Sequence, residues 1–444
     1  MDFSFSAEDE AFRARARAWL AERLDGADAP FADLATGREP AAGPDRIAPD
    51  PTVPDPTAPD PTVPDPTVPD PGSAELDPDR RRSWEQELGA GGWIGLGWSE
   101  GALTRQVVWA EEYARARGPA PLGIVGEQLL APTLLRFGSR AQRERFLPPI
   151  AAGTEIWCQG YSEPGAGSDL AAVRTTARRE TAGEGSDWLV TGQKTWTSLS
   201  QWADWCFVLA RTEPGSHRHH GLSLLLLPMD QPGRIEVRPI RQLDGASEFS
   251  EVFFDGARAA ADVLGAPGDG WRVAMALLSF ERGAGMLGRQ IGYAREFEAV
   301  LATAVRTGAV GDPVLRERLT RQWADLHALR CNALRTLGTA EPGSAAVAKL
   351  LWGGWHQRLG ELALAVLGPS GATVPVRHLP GRYPLTADQH RLLFSRADTV
   401  YGGSDQVQRN LIAERVLGLP REPRPQPAAA PALTPTSRDP EGQP

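Results

Sequence analysis

Lysine is almost missing from this chain: of its 444 residues only Lys194 and Lys349 are lysines, so nearly all positive charge is carried by arginine. Acidic residues outnumber basic ones, giving a formal charge of -9. That balance leaves no basic stripe to neutralise phosphates and speaks against a nucleic-acid partner. Cysteine is scarce too. Cys158, Cys206 and Cys331 are odd in number, far apart and in no C-x-x-C pairing, which indicates neither a disulfide framework nor a zinc site and fits a reducing compartment. The apolar run Leu222 to Leu227 is interrupted by Ser223, and like every other apolar run in the chain it is far too short to span a bilayer. The first residues, MDFSFSAEDE, are acidic where a signal peptide would be basic. A cytoplasmic location is the expectation.

What is present is organised in three parts. Ser6 and Asp9 form a capping-box start, after which Phe12, Ala16, Trp19, Leu20 and Leu24 recur at helical spacing. From Pro49 to Pro71 a PDPTV-type pentapeptide repeats with one aspartate per unit. Such proline density favours an extended rod, at ~3.1 Å per residue, and the like charges discourage collapse, so a solvated insertion is expected. Periodicity then predicts helices over Arg81 to Leu88, Leu103 to Arg117, Glu127 to Phe137 and Ser139 to Phe146. Period-two patterns follow at Phe207 to Arg211, Gly221 to Pro228, Ile235 to Pro239 and Ser250 to Asp255. Helical periodicity returns from Gly270 to Leu417, broken at GDPV (Gly311) and EPGS (Glu341), and a proline-rich tail follows Pro420. The expected division is residues 1–153 all-α with 49–71 as the insertion, 154–262 β, 263–420 α and 421–444 tail.

Two segments carry the chemistry. In YSEPGAGSDL (Tyr161 to Leu170), Gly165, Gly167 and Ser168 predict a turn whose amides approach an anion or a planar ring closely. WLVTGQKTWTSLSQWADWCFVLART (Trp188 to Thr212) alternates like strands around a Thr191-Gly192 turn and sets Trp196 beside the hydroxyls of Thr197 and Ser198. An aromatic face beside short donors suits an isoalloxazine ring. A small β-domain with core tryptophans would read the same way on residue types alone. His217, His219 and His220 cluster without an acidic or cysteine partner at ligand spacing, which reads as a solvated loop and not a metal site.

The order S-E-P-G-A-G-S-D, G-Q-K-T-W-T-S, FERGAG (Phe280 to Gly285) and YGGSDQVQRNLIAERVLGLP (Tyr401 to Pro420) resembles the acyl-CoA dehydrogenase family over residues 1 to 420 apart from the insertion. The resemblance implies an α+β fold: an N-terminal helical domain, a middle β-barrel-like domain and a C-terminal four-helix bundle. It implies FAD, an acyl-CoA substrate desaturated to the trans-2-enoyl-CoA, electron-transfer flavoprotein as acceptor and a homo- or heterotetramer with a related subunit. An acyl-CoA oxidase, a flavin monooxygenase or a non-catalytic partner subunit are the alternatives on the same fold. A lean toward actinobacterial relatives acting on branched or steroid-derived side chains comes with it.

Removing a poorly acidic α-proton requires a carboxylate in a desolvated pocket. Where some family branches carry that carboxylate in E-G-T-S, this chain has Gly402, so the helix-borne alternative, Glu281 followed by Arg282, is the expected base, with Arg282 at the substrate. Asp405 is the other nearby acid, at a cofactor-facing position. By resemblance, Gln159, Tyr161 and Ser162 lie along the ring edge, Ser168 near the pyrophosphate or pantetheine, Trp196 on the ring face and Ser198 at its polar edge. Ser404 and Gln406 match a further flavin-facing loop. Departures stand beside these matches. Arg306-Thr307-Gly308-Ala309-Val310 lacks the phenylalanine of R-x-x-F-G, and Ala365 to Gly371 lacks the glutamine of Q-I-L-G-G-N-G and carries Pro369. Both motifs hold the adenylate of the neighbouring subunit's FAD in relatives. The loop from Trp98 also lacks the usual Y-G-G turn.

Overall fold

The computed structural model describes residues 5–26, 28–36, 77–98, 103–180, 187–260, 263–280, 285–336, 343–373 and 385–421. The 49–71 repeat and the tail beyond Arg421 lie outside them.

The first helix, α1 (Ala7–Leu24), starts at the expected capping box: the Asp9 amide donates to Ser6 Oγ at 3.1 Å and the Ser6 amide to Asp9 Oδ2 at 3.2 Å. It buries Phe12, Ala16, Leu20 and Leu24 against α2 (Ala32–Thr36), α3 (Pro78–Ala90) and α4 (Leu103–Arg115). Four tryptophans fill this layer, with Trp93 and Trp109 stacked at 4.3 Å. α4 stops two residues short of the expected Arg117, whose φ of +54° is left-handed and ends the helix. A π-helical turn (Gly126–Leu130) leads into α5 (Ala131–Phe137). The next helix, α6 (Arg140–Ala151), runs past the expected Phe146 through Pro148 and Pro149, because Ile150 still has core to reach.

Seven strands then form one mixed sheet in the order β1-β4-β2-β3-β7-β6, with β5 also on β4. They are β1 (Trp157–Gly160), β2 (Thr176–Arg179), β3 (Trp188–Ser198), β4 (Trp205–Arg211), β5 (Leu222–Pro228), β6 (Ile235–Ile240) and β7 (Phe249–Ala259). The sheet curls so that Val208, Leu225 and Leu227 meet Val252 and Phe254, while Leu222, Leu224 and Leu226 pack on α7 (Gly270–Phe280) and α5. The leucine-rich β5 is thus a strand buried on both faces.

The expected turn at Thr191-Gly192 is not there. β3 is a single 11-residue strand whose two halves both pair with β7, with register shifts on either side of Thr191 and between Lys194 and Thr197. Gly192 marks a bulge instead of a reversal: a Cβ there would meet the Thr175 Cα at 2.8 Å, so glycine serves close backbone approach.

The C-terminal helices are α8 (Gly285–Arg306), α9 (Pro313–Thr336), α10 (Ser344–Leu367) and α11 (Ala387–Ser395), packed around Phe297, Val300, Leu326, Trp355, Leu359 and Leu362. A short α12 (Asp405–Leu411) follows. Among the described residues no helix is long and apolar enough to cross a membrane.

Candidate functional site

The loop leaving β1 is tied down by the lysine that sequence statistics would place on the surface. Lys194, on β3, is fully buried and donates to the Tyr161 carbonyl at 3.0 Å, the Leu209 carbonyl at 2.8 Å and Glu163 Oε1 at 2.9 Å. Glu163 in turn accepts from the Thr175 amide at 2.9 Å and the Arg174 amide at 2.6 Å. Burial disfavours the charged Glu163, but the Lys194 ammonium and these donors outweigh it and hold its carboxyl below the usual range. Burial pulls the Lys194 ammonium below its ordinary value, with Glu163 resisting. Glu163 and Ala166 then exchange backbone hydrogen bonds of 3.1 and 3.0 Å, closing the tight turn expected around Gly165 and Gly167. Ser168 follows it, exposed.

The Thr195 amide donates to the Ser162 carbonyl at 2.9 Å, so the ring-edge candidates Tyr161 and Ser162 sit beside the strand carrying Trp196 and Ser198. Gln159 lies two residues before Tyr161, on β1. Trp196 falls in the β3 bulge with φ +57°, a costly backbone for an aromatic residue, and its ring is 58% exposed. Its ring meets protein edge-on through Phe249 at 6.1 Å. Thr197 Oγ1 beside it is buried with no partner among the described residues. An uncovered indole face flanked by a buried hydroxyl without a partner and by Ser198 fits a flat heteroaromatic ring with a polar edge, which is what FAD presents.

Ser404 and Gln406 belong to the bundle. Ser404 caps α12, accepting from the Val407 amide at 3.4 Å, and Gln406 is exposed two residues on. Asp405 faces Arg409 at 3.7 Å. Glu281 and Arg282 fall between α7 and α8, outside the described residues.

Next to Ser168 a cleft of ≈ 250 Å³ is lined by Asp169, Arg174, Arg211, His217 and Arg218. Arg211 spends its guanidinium on backbone carbonyls of Ala171, Arg218 and His220 at 3.1 to 3.2 Å, and Arg218 lies 3.9 Å from Asp169. Of the three clustered histidines, His217 lines this cleft and His219 packs on Trp271 at 4.3 Å. The two altered adenylate segments are brought together as well. Thr307 Oγ1 donates to the Val366 carbonyl at 2.8 Å, and Gly308 turns the chain with φ +78° while Pro369 and Ser370 stay exposed.

Beneath Tyr401 the bundle holds a charged spine that no motif announced. His356 Nδ1 lies 2.6 Å from Asp398 Oδ2 and its Nε2 lies 2.9 Å from Glu296 Oε2, which also accepts from Arg391 Nε at 2.9 Å. Arg391 reaches Asp388 at 2.5 Å, and Lys349 donates to the Asp398 carbonyl. Burial works against the imidazolium, but the two carboxylates raise His356 to about 9; likewise burial works against Glu296, while His356 and Arg391 lower it to about 2. Apart from Arg391 and Asp388, three residues apart on α11, the partners lie 42 to 95 residues apart in the chain, and only their folding together reveals them.

Family models for the N-terminal, middle and C-terminal domains of acyl-CoA dehydrogenases match residues 68–154, 158–257 and 268–417. The acyl-CoA dehydrogenase IpdE1 of Mycobacterium tuberculosis is 49% identical over 424 residues, 93% of this chain and 98% of the relative. Among solved structures, the steroid ACAD Tcur3481-Tcur3483 is similar with a TM-score of 0.72 at 26% identity, covering 95% of this chain and 100% of that one. The ChsE4-ChsE5 complex from Mycobacterium tuberculosis is similar with a TM-score of 0.71 at 25% identity, covering 95% and 100%.

Proposed function

Because the chain belongs to the FAD-dependent acyl-CoA dehydrogenase family, we propose that it desaturates the acyl-CoA thioester of a branched or steroid-derived acid and passes the electrons to an electron-transfer flavoprotein. The observation that carries this reading is Trp196, held out of the sheet on a left-handed backbone beside Thr197 and Ser198. Bound FAD would lie on that face and accept the hydride from the β-carbon. Gln159, Tyr161 and Ser162 would line its edge, and Ser404 and Gln406 would approach from the bundle. Glu281 takes the α-proton, and Arg282 beside it faces the substrate. Ser168 would lie near the flavin pyrophosphate or the pantetheine, and the cleft beyond it, with Arg174 and Arg218, complements the phosphates of coenzyme A in charge. The steroid label on one structural neighbour supports a bulky acyl group.

The assembly is inferred from an asymmetry between the two halves of the flavin site. The ring-side residues are retained, while Ala365, Pro369 and the missing phenylalanine after Thr307 alter the face that would serve a neighbour's adenylate. A tetramer with a related second subunit restores that half, and two structural neighbours carry paired subunit names. The test is to measure FAD per chain, native mass and acyl-CoA-dependent flavin reduction with and without the companion chain. Full FAD in an active homotetramer overturns the assembly. Replacing Glu281 with Gln leaves the flavin spectrum intact and slows flavin reduction at least ~100-fold; near-wild-type turnover overturns the base. Peroxide in place of acceptor reduction would make the protein an oxidase.

A further inference from the structure

The proton and hydride transfers make no use of the charged spine in the bundle, yet the spine does not end inside it. Both oxygens of Asp398 are committed: Oδ2 to His356 at 2.6 Å, and Oδ1 to the Tyr401 hydroxyl, which donates at 2.7 Å. Lys349, bonded to the Asp398 carbonyl, also lies 4.5 Å from the centre of the Tyr401 ring and 4.2 Å from that of Trp352. The approach is close: a Cβ on Gly353 of α10 would sit 3.1 Å from the Asp398 carbonyl oxygen. Tyr401 is therefore gripped at its hydroxyl and on one face, while 37% of it stays exposed. After it the backbone turns through Gly402 at φ +61° and Gly403 at φ +88°, and Gln408 Nε2 holds the Gly403 carbonyl at 3.1 Å.

The position of this turn is informative. Trp352, 6.1 Å from Tyr401, lies under the Arg289 guanidinium at 5.7 Å. Arg289 is four residues into α8, hence about 6 Å along the axis from its first residue. The turn thus lies toward the first turns of α8, the helix that begins three residues after Arg282 in the chain. On the other side it runs into Ser404. A network serving only helix packing would have no need of a half-exposed ring at its end.

Resting on the reading of Ser404 and Gln406 as flavin-facing, we propose that Asp398 and His356 are positioning residues that set Tyr401 and the Gly402–Gly403 turn as a wall of the reaction cleft. The spine balances three carboxylates, Glu296, Asp388 and Asp398, with Arg391, His356 and Lys349. Asp398 keeps its orientation because His356 is clamped between it and Glu296. Where some relatives place a carboxylate at the next position, this chain offers a bare glycine turn and an anchored phenol beside it.

The experiment uses the FAD-loaded enzyme with its companion chain where required. Tyr401→Phe, Asp398→Asn, His356→Gln and the Tyr401→Phe/Asp398→Asn double variant are compared for melting, FAD per chain and kinetics. A redox-inert thioether analogue of the acyl-CoA, read through the visible flavin spectrum, reports alignment without turnover. Tyr401→Phe should melt modestly below the parent, because Asp398 Oδ1 loses its donor, keep its FAD, lower kcat about tenfold with KM little changed, as for one lost positioning hydrogen bond, and alter the analogue spectrum. Asp398→Asn should do the same, and the double variant should be no worse than either single. Parental kinetics and spectra in Tyr401→Phe overturn the proposal, as do losses that multiply in the double variant or that appear in melting alone. If Asp398→Asn or His356→Gln fails to fold, Tyr401→Phe decides. If the parent itself shows no acyl-CoA-dependent flavin reduction, the functional reading fails instead, and the resting flavin spectrum of Tyr401→Phe still tells whether the turn faces the ring.

Discussion

Replacing Lys194 with Met should be among the most damaging single changes in the β-domain. The side chain is fully buried, and its ammonium serves the Tyr161 and Leu209 carbonyls and Glu163. Methionine matches its length but leaves Glu163 as a buried carboxylate without its counter-ion. Breaking a buried pair from one side costs about 3 to 5 kcal/mol. At 2 to 4 °C per kcal/mol that lowers the melting temperature by roughly 6 to 20 °C. The pH dependence identifies the cause. In the parent, the depressed Glu163 carboxyl contributes stability that is present above its unfolded value of 4.5 and lost as pH falls. In the variant that carboxyl has lost its cation and rises, so it takes up its proton at higher pH and sheds the buried charge. The gap between variant and parent should therefore narrow on acidification from pH 7 toward 4.5. Adding Glu163→Gln to Lys194→Met should recover part of the loss at pH 7. Differential scanning fluorimetry across pH reads all of this. A loss of under about 1 kcal/mol, or a pH-independent one, would refute the ion-pair account.

Three further outcomes follow. If the cleft takes the coenzyme A phosphates as proposed, charge reversal of Arg174 or Arg218 should raise KM for the acyl-CoA several-fold with kcat little changed, since such a contact would serve ground state and transition state alike; steady-state kinetics at two salt concentrations checks it. His356 has a raised folded pKa, so its contribution is full below 6.5 and lost as pH climbs through about 9; thermal melts of His356→Gln should show a flatter alkaline slope than the parent. Deleting Pro49 to Pro71 should shift stability by no more than about 1 kcal/mol and leave turnover intact, since loop closure changes by only ~0.6 kcal/mol per doubling and Arg80 already ties α3 to Asp33 of α2 at 2.8 Å.

Local signals carried much of the architecture. The capping box at Ser6, the helices flanking Trp84 and the alternation that became β4 to β7 are all short-range patterns, and short-range physics decides them. Gly192 shows where that fails. A Thr-Gly pair marks a hairpin only if the chain on both sides pairs with itself, and here β7, sixty residues on, pairs with both halves of β3. Lys194 is illegible for the same reason: an alternating strand assigns it a face, but not the three acceptors that neutralise it. The motifs grouped Tyr161, Ser162, Trp196 and Ser198, and the fold sets them side by side, the Thr195 amide of β3 donating to the Ser162 carbonyl in the loop after β1. They gave no hint of His356, Asp398 and Glu296, whose association is purely tertiary.

An enzyme that handles thioesters handles acyl donors, and exposed primary amines are the groups such donors modify. This chain has two lysine side chains; one is fully buried and the other is 5% exposed, each engaged by carbonyl oxygens. Its cationic surface is guanidinium, which does not compete as a nucleophile at neutral pH. The protein thus presents no accessible lysine amine to an activated acyl group. Amine-directed labels and cross-linkers will find little beyond the α-amino group until the fold opens, so lysine acylation, read by mass spectrometry, reports unfolding of the β3 and α10 sites one by one.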